Sequence, residues 1–116
     1  MVAVEPPEPK KVVYREEFKP APLEVKGYIE RASLESGVPY ETLERIVWCE
    51  SRYNQEAVNR TNKNGTQDWG LLQINSIHLP EAEKLGLDII NSVEDNTTFA
   101  IILLKRYGTK PWVCKG

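Results

Sequence analysis

Apolar residues recur at every third or fourth position in two segments of the chain, which is the spacing that one face of an α-helix requires. The first predicted helix runs from about Leu23 to Ser36, with apolar positions at Val25, Tyr28, Ile29 and Ala32. The second runs from about Tyr40 to Arg52, with apolar positions at Leu43, Ile46 and Val47. Both patterns predict amphipathic helices that bury one face in a common core.

A short third helix is expected from about Leu79 to Leu85, and a fourth from about Val93 to Tyr107. Ser92 precedes the fourth helix and Asp95 follows three residues later, a pattern typical of a helix N-terminus. The fourth helix is broadly apolar, so we expect it at the centre of the core. His78, before the third helix, receives no catalytic role in this interpretation.

Between the second and third helices, the polar segment from Asn54 to Gln67 contains four asparagines and the pair Asn64-Gly65. Both residue types tolerate positive φ angles, and this pair is the strongest short-range signal of a β-hairpin. We expect a small, irregular hairpin that ends at Asp68. Together these elements predict a mainly α, α+β fold, with about four helices around a central core helix and a small β-lobe beside a cleft.

The first 22 residues differ from the rest because they hold five of the eight prolines of the chain. Proline fixes φ and removes a hydrogen-bond donor, which favours an extended chain over a packed element. We predict a proline-rich, disordered linker over residues 1–22 and one folded domain over residues 23–116. No secretory leader is visible in this chain, and in a longer precursor the linker would join an export or anchor segment to the domain.

The composition fits one globular domain, because 41% of the 116 residues are hydrophobic and 28% are charged. The formal net charge of -2 gives no electrostatic reason to expect nucleic acid as a partner. The longest apolar run, Phe99 to Leu104, is far too short for a membrane span. We expect a monomer that needs no metal and no cofactor.

The two cysteines, Cys49 and Cys114, lie far apart in the sequence and are too few for a tetrahedral zinc site. They are either two unpaired thiols or a disulfide that ties the C-terminal segment to the second helix. We favour the disulfide, which would imply an oxidising compartment.

Glu50 continues the apolar face of the second helix, because it follows Leu43 and Val47 at helical spacing. An ionised carboxylate is costly to bury without a partner. The cost falls if Glu50 pairs with an arginine or caps the next loop, and it also falls if the side chain emerges into a cleft. Position alone leaves the structural role and the catalytic role equally open.

The ordered motifs E-S-x-x-N, A-V-N-R, N-G-T-x-D-x-G-L-L-Q-I-N-S and a later D-N in a helix resemble those of the lysozyme-like transglycosylase (SLT) superfamily. The nearest members are the short muramidases of secretion systems and phages, and the stretch is also similar to chicken-type lysozyme. The resemblance covers about Tyr28 to Trp112 and is specific from Glu50 to Ser76. It implies a lysozyme-like fold, peptidoglycan glycan strands as substrate, and a location in the periplasm, the cell envelope or outside the cell.

Residue by residue, the resemblance makes Glu50 the catalytic acid and Asp68 a conditional second carboxylate. The residues that it implies for sugar binding or for the shape of the cleft are Ser51, Asn54, Trp69, Gly70, Gln73 and Asn75. Longer transglycosylases carry an A-Y-N-A-G motif after the core helix, and this chain lacks it. Tyr107 or Trp112 could fill that space, and we include Tyr107 among the candidate substrate-binding residues.

Two reactions at the β-1,4 bond between N-acetylmuramic acid and N-acetylglucosamine are open to these residues. If Asp68 lies close to the anomeric carbon, a retaining hydrolase is expected. If Asp68 is tied into the hairpin, the 2-acetamido group of the substrate can act as nucleophile and give a 1,6-anhydro product, as the resemblance implies. A non-catalytic glycan-binding domain is the alternative from another class, but it leaves an acid on an apolar helix face unexplained.

Overall fold

The computed structural model describes residues 22–112, with side chains from residue 24 onwards. Most of the predicted linker and Cys114 lie outside the described residues. The described helices are α1 (Pro22–Ser36), α2 (Tyr40–Ser51), α3 (Leu79–Lys84) and α4 (Val93–Tyr107), and a short 3₁₀ turn (Ser76–His78) precedes α3. None of these helices combines the length and the apolar character that a membrane span would need.

A small antiparallel sheet of three strands follows α2, with the order β1 (Val58–Asn59), β2 (Asp68–Trp69) and β3 (Ile74–Asn75). In this sheet Asp68 pairs with Asn59 on one side and with Asn75 on the other. Four helices beside one short sheet confirm the predicted mainly α, α+β fold. The second carboxylate candidate therefore lies on the central strand of the β-lobe.

The core forms around α4, as the sequence predicts. Phe99, Ala100 and Leu103 of this helix are almost fully buried, whereas Tyr107 at its end is 52% exposed. The other three helices and the β-lobe each contribute side chains to the same cluster, among them Ile29, Leu43, Ile46, Ala82, Leu72 and Ile74. One core thus holds the end of α2 and the β-lobe in place.

The start of α4 shows how local side chains set a helix boundary. Ser92 Oγ accepts a hydrogen bond from the backbone N–H of Asp95 at 3.0 Å, which satisfies one of the free donors of the first turn. Asp95 Oδ2 in turn accepts from the backbone N–H of Asp88 at 2.9 Å, so it fixes the preceding loop. The predicted N-terminus of α4 is confirmed, and the side chain of Asp95 bonds to the preceding loop.

The hairpin between β1 and β2 is also present, but its connection is long and spans residues 60–67. Of the pair Asn64-Gly65, only Gly65 adopts a positive φ, of 82°. Asn64 Oδ1 instead accepts from the backbone N–H and the hydroxyl of Thr66, at 3.1 and 2.6 Å. Side-chain hydrogen bonds, and not a two-residue turn, therefore shape this loop.

Candidate active site

A cleft of about 640 Å³ opens where the end of α2, the β-lobe and α4 meet. Four of the candidate residues line it, namely Glu50, Asp68, Gln73 and Asn75. The remainder of its wall includes Asn59, Asn62, Lys63, His78, Leu103 and Trp112. Within residues 22–112, no group of three or more histidine, cysteine or acidic side chains could hold a metal ion.

Glu50 lies in the last turn of α2 and is half-buried at the cleft. Leu43, Ile46 and Val47 on the same face of the helix are fully buried. The backbone turns sharply directly afterwards, because Arg52 and Tyr53 adopt left-handed φ angles of 53° and 65°. The helix therefore ends as Glu50 reaches the cleft, which is the arrangement that allows an acid on an apolar face to meet a substrate.

Asp68 is held by three side-chain amides. Its Oδ2 accepts from Asn59 Nδ2 at 3.2 Å and from Asn62 Nδ2 at 3.1 Å, and its Oδ1 accepts from Asn75 Nδ2 at 2.9 Å. A carboxylate has about four lone-pair positions, so most of its hydrogen-bonding capacity is used within the β-lobe. The carboxylate of Asp68 thus ties the hairpin loop to β3.

Gln73 follows the turn after β2 and has a φ of 48°, which is unusual for a residue with a side chain. Its Nε2 donates to the carbonyl oxygens of Ala57 and Gly70, at 3.0 and 2.9 Å. Its backbone N–H also donates to the carbonyl oxygen of Gly70 at 3.1 Å. These bonds fix the side chain of Gln73 at the cleft, and within residues 22–112 its side-chain carbonyl oxygen accepts no hydrogen bond.

The turn that precedes Gln73 is held from outside by the side chains of Asn96 and Trp112, contacts that we did not predict from the sequence. Asn96, on α4, accepts from the backbone N–H of Leu72 at 3.0 Å and donates to the carbonyl oxygen of Trp69 at 2.8 Å. Trp112, 3% exposed, donates from Nε1 to the carbonyl oxygen of Leu72 at 2.6 Å. Asn96 belongs to the D-N motif of the sequence, but the motif alone gives no sign of this contact.

His78 also lines the cleft, although a lone histidine before a helix gives no sequence signal for such a place. The centroid of its ring lies 5.5 Å from the centroid of the Phe99 ring. Burial lowers the pKa of His78 below its ordinary 6.5, Glu81 acts in the opposite direction, and Arg106 adds to the lowering. The imidazole therefore faces the cleft in its neutral form at neutral pH.

Five other candidates do not line the cleft. Ser51 is buried and donates to the carbonyl oxygen of Val47 at 3.0 Å, and exposed Asn54 accepts from the backbone N–H of Glu56 at 2.9 Å. The remaining three are Trp69, whose ring lies under the Arg60 guanidinium, Gly70, which is buried, and Tyr107, which is exposed. Any part that these five residues have in substrate binding stays a prediction.

Cys49, next to Glu50, is disulfide-bonded. Cys114, the partner that we predict, lies outside the described residues, so the pairing stays a prediction. A bond at Cys49 would restrain the end of α2 that presents Glu50 to the cleft.

Comparison with known proteins adds two findings. A family model described as the transglycosylase SLT domain matches residues 27–111 of the chain. Protein IpgF of Shigella flexneri is 35% identical over 57 residues, which amount to 49% of this chain. That match spans only 37% of the length of IpgF.

Proposed function

Because the chain belongs to the transglycosylase SLT domain family, we propose that it cleaves the β-1,4 bond between N-acetylmuramic acid and N-acetylglucosamine in peptidoglycan. Glu50 is the general acid and then the general base, and the product ends in 1,6-anhydro-N-acetylmuramic acid. The observation that carries the choice of reaction is the state of the second carboxylate, since Asp68 is bound by three amides of its own lobe.

Glu50 has the surroundings that proton transfer to a leaving oxygen needs. It is half-buried, it continues a fully buried apolar face, and it lines the cleft. A carboxylic acid that is partly shielded from water can hold its proton until it is given to the glycosidic oxygen. The leaving N-acetylglucosamine then departs with that proton as its new 4-hydroxyl group.

The oxygens of Asp68 already accept three hydrogen bonds within the β-lobe, which favours a structural role for this carboxylate over attack on the anomeric carbon. Redirecting one of them would break contacts that join the hairpin loop to β3. The carbonyl oxygen of the 2-acetamido group of the substrate is the other available nucleophile, and it forms an oxazolinium ion with the anomeric carbon. The ionised Glu50 then removes the proton of the 6-hydroxyl group, whose oxygen attacks the anomeric carbon and releases the acetamido group.

The rest of the cleft suits a sugar chain with N-acetyl groups. Gln73 is held rigidly by its Nε2, which supports its role as an acceptor for a substrate N–H or hydroxyl. The disulfide at Cys49 and a peptidoglycan substrate both support a place outside the cytoplasm.

Mass spectrometry of digested peptidoglycan tests the proposal. We expect wild-type protein to release muropeptides with 1,6-anhydro ends, and Glu50→Gln to release them at least about 100-fold more slowly. Products with reducing N-acetylmuramic acid ends and no anhydro ends would overturn the proposal in favour of a hydrolase that uses Asp68. Binding of glycan strands without any products would overturn it in favour of a non-catalytic glycan-binding domain.

A further inference from the structure

Lys63 is the one lysine or arginine in the described wall of the cleft, and the lowered pKa of His78 keeps that imidazole neutral at neutral pH. The other basic residues around the β-lobe and the end of α2 have partners within the molecule. Arg60 lies 5.2 Å from the ring centroid of Trp69, and Arg52 lies 4.8 Å from that of Trp48. Lys63 is exposed, and within residues 22–112 its side chain has no hydrogen bond or ion pair. Its charge is therefore open to a ligand.

The loop that carries Lys63 is ordered by its own side chains. Gly65 donates its backbone N–H to the carbonyl oxygen of Asn62 at 3.0 Å, and Asn62 Nδ2 donates to Thr66 Oγ1 at 3.3 Å and to Asp68 Oδ2 at 3.1 Å. Lys63 lies within this turn, and its side chain makes no hydrogen bond to the described part of the chain. Its backbone is fixed at the rim of the cleft, while its long side chain can reach a group that projects from a bound strand.

The wall near Lys63 divides into neutral and charged parts. Asn59, Asn62, Asn64 and Asn75 line it with neutral amides, whose hydrogen bonds lie mostly within the β-lobe. Asp68 takes its hydrogen bonds from three amides of the lobe, and within residues 22–112 no ion pair joins it to Lys63. The chain as a whole carries a net charge of -2, so it offers no general attraction to an anionic polymer. A single open cation at the rim is the feature that would recognise a carboxylate.

We propose that Lys63 binds a carboxylate of the stem peptide and so makes the protein selective for glycan strands that carry peptides. The inference rests on the proposed function, since it assumes peptidoglycan in the cleft. In such strands the lactyl carboxyl group of each muramic acid is consumed in the amide bond to the peptide. The carboxylates left for Lys63 are those of the peptide itself.

The test compares two tetrasaccharides with the same stem peptides, one with free peptide carboxyl groups and one with these groups amidated. We expect the ratio of kcat/KM on the free substrate to kcat/KM on the amidated one to be about five for wild type, the upper range for one exposed ion pair. Lys63→Ala brings the ratio to about one, mainly through KM, and Lys63→Arg restores it. Lys84→Ala, the same charge change at an exposed position on α3, keeps the wild-type ratio. High salt lowers the ratio because it screens the pair.

A wild-type ratio near one, or a ratio that Lys63→Ala leaves unchanged, would overturn the proposal. A denuded strand, which has free lactyl carboxylates and no peptide, separates the two sources of the anion. One outcome is that Lys63→Ala lowers kcat/KM on denuded strands and leaves the ratio between the free and the amidated tetrasaccharide at its wild-type value. In that case the lactyl carboxylate is the ligand of Lys63 and the proposal is wrong. Should wild type cleave nothing, the proposed function fails, and calorimetric binding of the two tetrasaccharides to Glu50→Gln with and without Lys63→Ala still decides the role of Lys63.

Discussion

The side chain of Asn96 occupies the space beside Gly70, so that a Cβ atom on Gly70 would lie 2.5 Å from Asn96 Nδ2. Asn96 is 1% exposed, and its amide bonds to three backbone groups, those of Trp69, Leu72 and Ile89. The turn between β2 and β3 is thus fastened directly to the central helix. Because Gln73 follows this turn, the contact positions a wall of the cleft.

Gly70→Ala should therefore destabilise the fold by about 3 kcal/mol, from the left-handed backbone and the displaced Asn96 bonds together. The φ of Gly70 is 80°, and Asn96 has little room to move because its side chain is buried and bonded to three backbone groups. Urea denaturation measures the loss. Gly65→Ala is the matched control, because Gly65 has a φ of 82° but a Cβ atom there would have nothing within 4 Å. Gly65→Ala should lower the free energy of unfolding by only about 1 kcal/mol. Equal losses in the two variants would show that the contact between Gly70 and Asn96 adds nothing to the cost of Gly70→Ala.

Where a local signal decides the structure, the sequence is enough. Ser92 starts α4 through a bond to Asp95 only three residues away, and helical spacing alone places Glu50 on the apolar face of α2. The contact of Asn96 with Leu72 joins residues 24 positions apart, and no periodic pattern reports it. The place of His78 in the cleft depends on the same long-range packing, which is why no local pattern predicts it.

The hairpin loop shows a second limit of prediction. Asn64-Gly65 correctly indicates a hairpin, but the form of the loop depends on where asparagine amides find acceptors. Asn59 and Asn62 both donate to Asp68, and this shared acceptor selects a longer connection. The same bonds bear on the two reactions that the sequence left open, because they occupy the second carboxylate.

Reduction of the disulfide at Cys49 should lower the free energy of unfolding by about 3 kcal/mol, since a long closed loop restricts the unfolded chain. Thiol titration of the unreduced, unfolded protein should find no free thiol, and the mass of the unreduced protein should lie two hydrogen atoms below that of the reduced protein. Urea denaturation with and without reductant measures the stability. Two free thiols before reduction would contradict the predicted pair of Cys49 and Cys114.

Acid should weaken the fold through His78. Because burial holds the pKa of His78 below 6.5 in the folded state, the unfolded chain binds the proton more readily, and stability falls as pH drops below about 7. The loss ends once pH lies below the folded pKa. Glu81 and Arg106 are the charged groups beside it, and the chain has no other histidine. His78→Gln should flatten the profile of unfolding free energy between about pH 5.5 and 7.5, and a slope as steep as that of wild type would exclude His78 as the cause.

Glu50→Gln should keep the fold and lose at least about 100-fold of kcat, the usual scale for a general acid. The amide cannot give a proton to the glycosidic oxygen or take one from the 6-hydroxyl group. Circular dichroism checks the fold, and release of soluble muropeptides measures the rate. Glu41→Gln changes the same charge on the exposed first turn of α2 and should leave the rate as it is. Retained activity in Glu50→Gln would show that Glu50 is not the general acid.

Asp68→Asn separates a nucleophile from a structural acceptor. If Asp68 holds the β-lobe, the asparagine that replaces it has one acceptor oxygen for the same three amide donors. Its own NH₂ group must then face at least one of those donors. We expect a loss of about 2 kcal/mol in unfolding free energy and a fall in kcat of less than about tenfold, well short of the loss in Glu50→Gln. Anhydro ends should persist in the products of this variant, because the acetamido group of the substrate still closes on the anomeric carbon. A fall in kcat as large as that of Glu50→Gln, in protein that remains folded, would instead assign Asp68 to the chemistry.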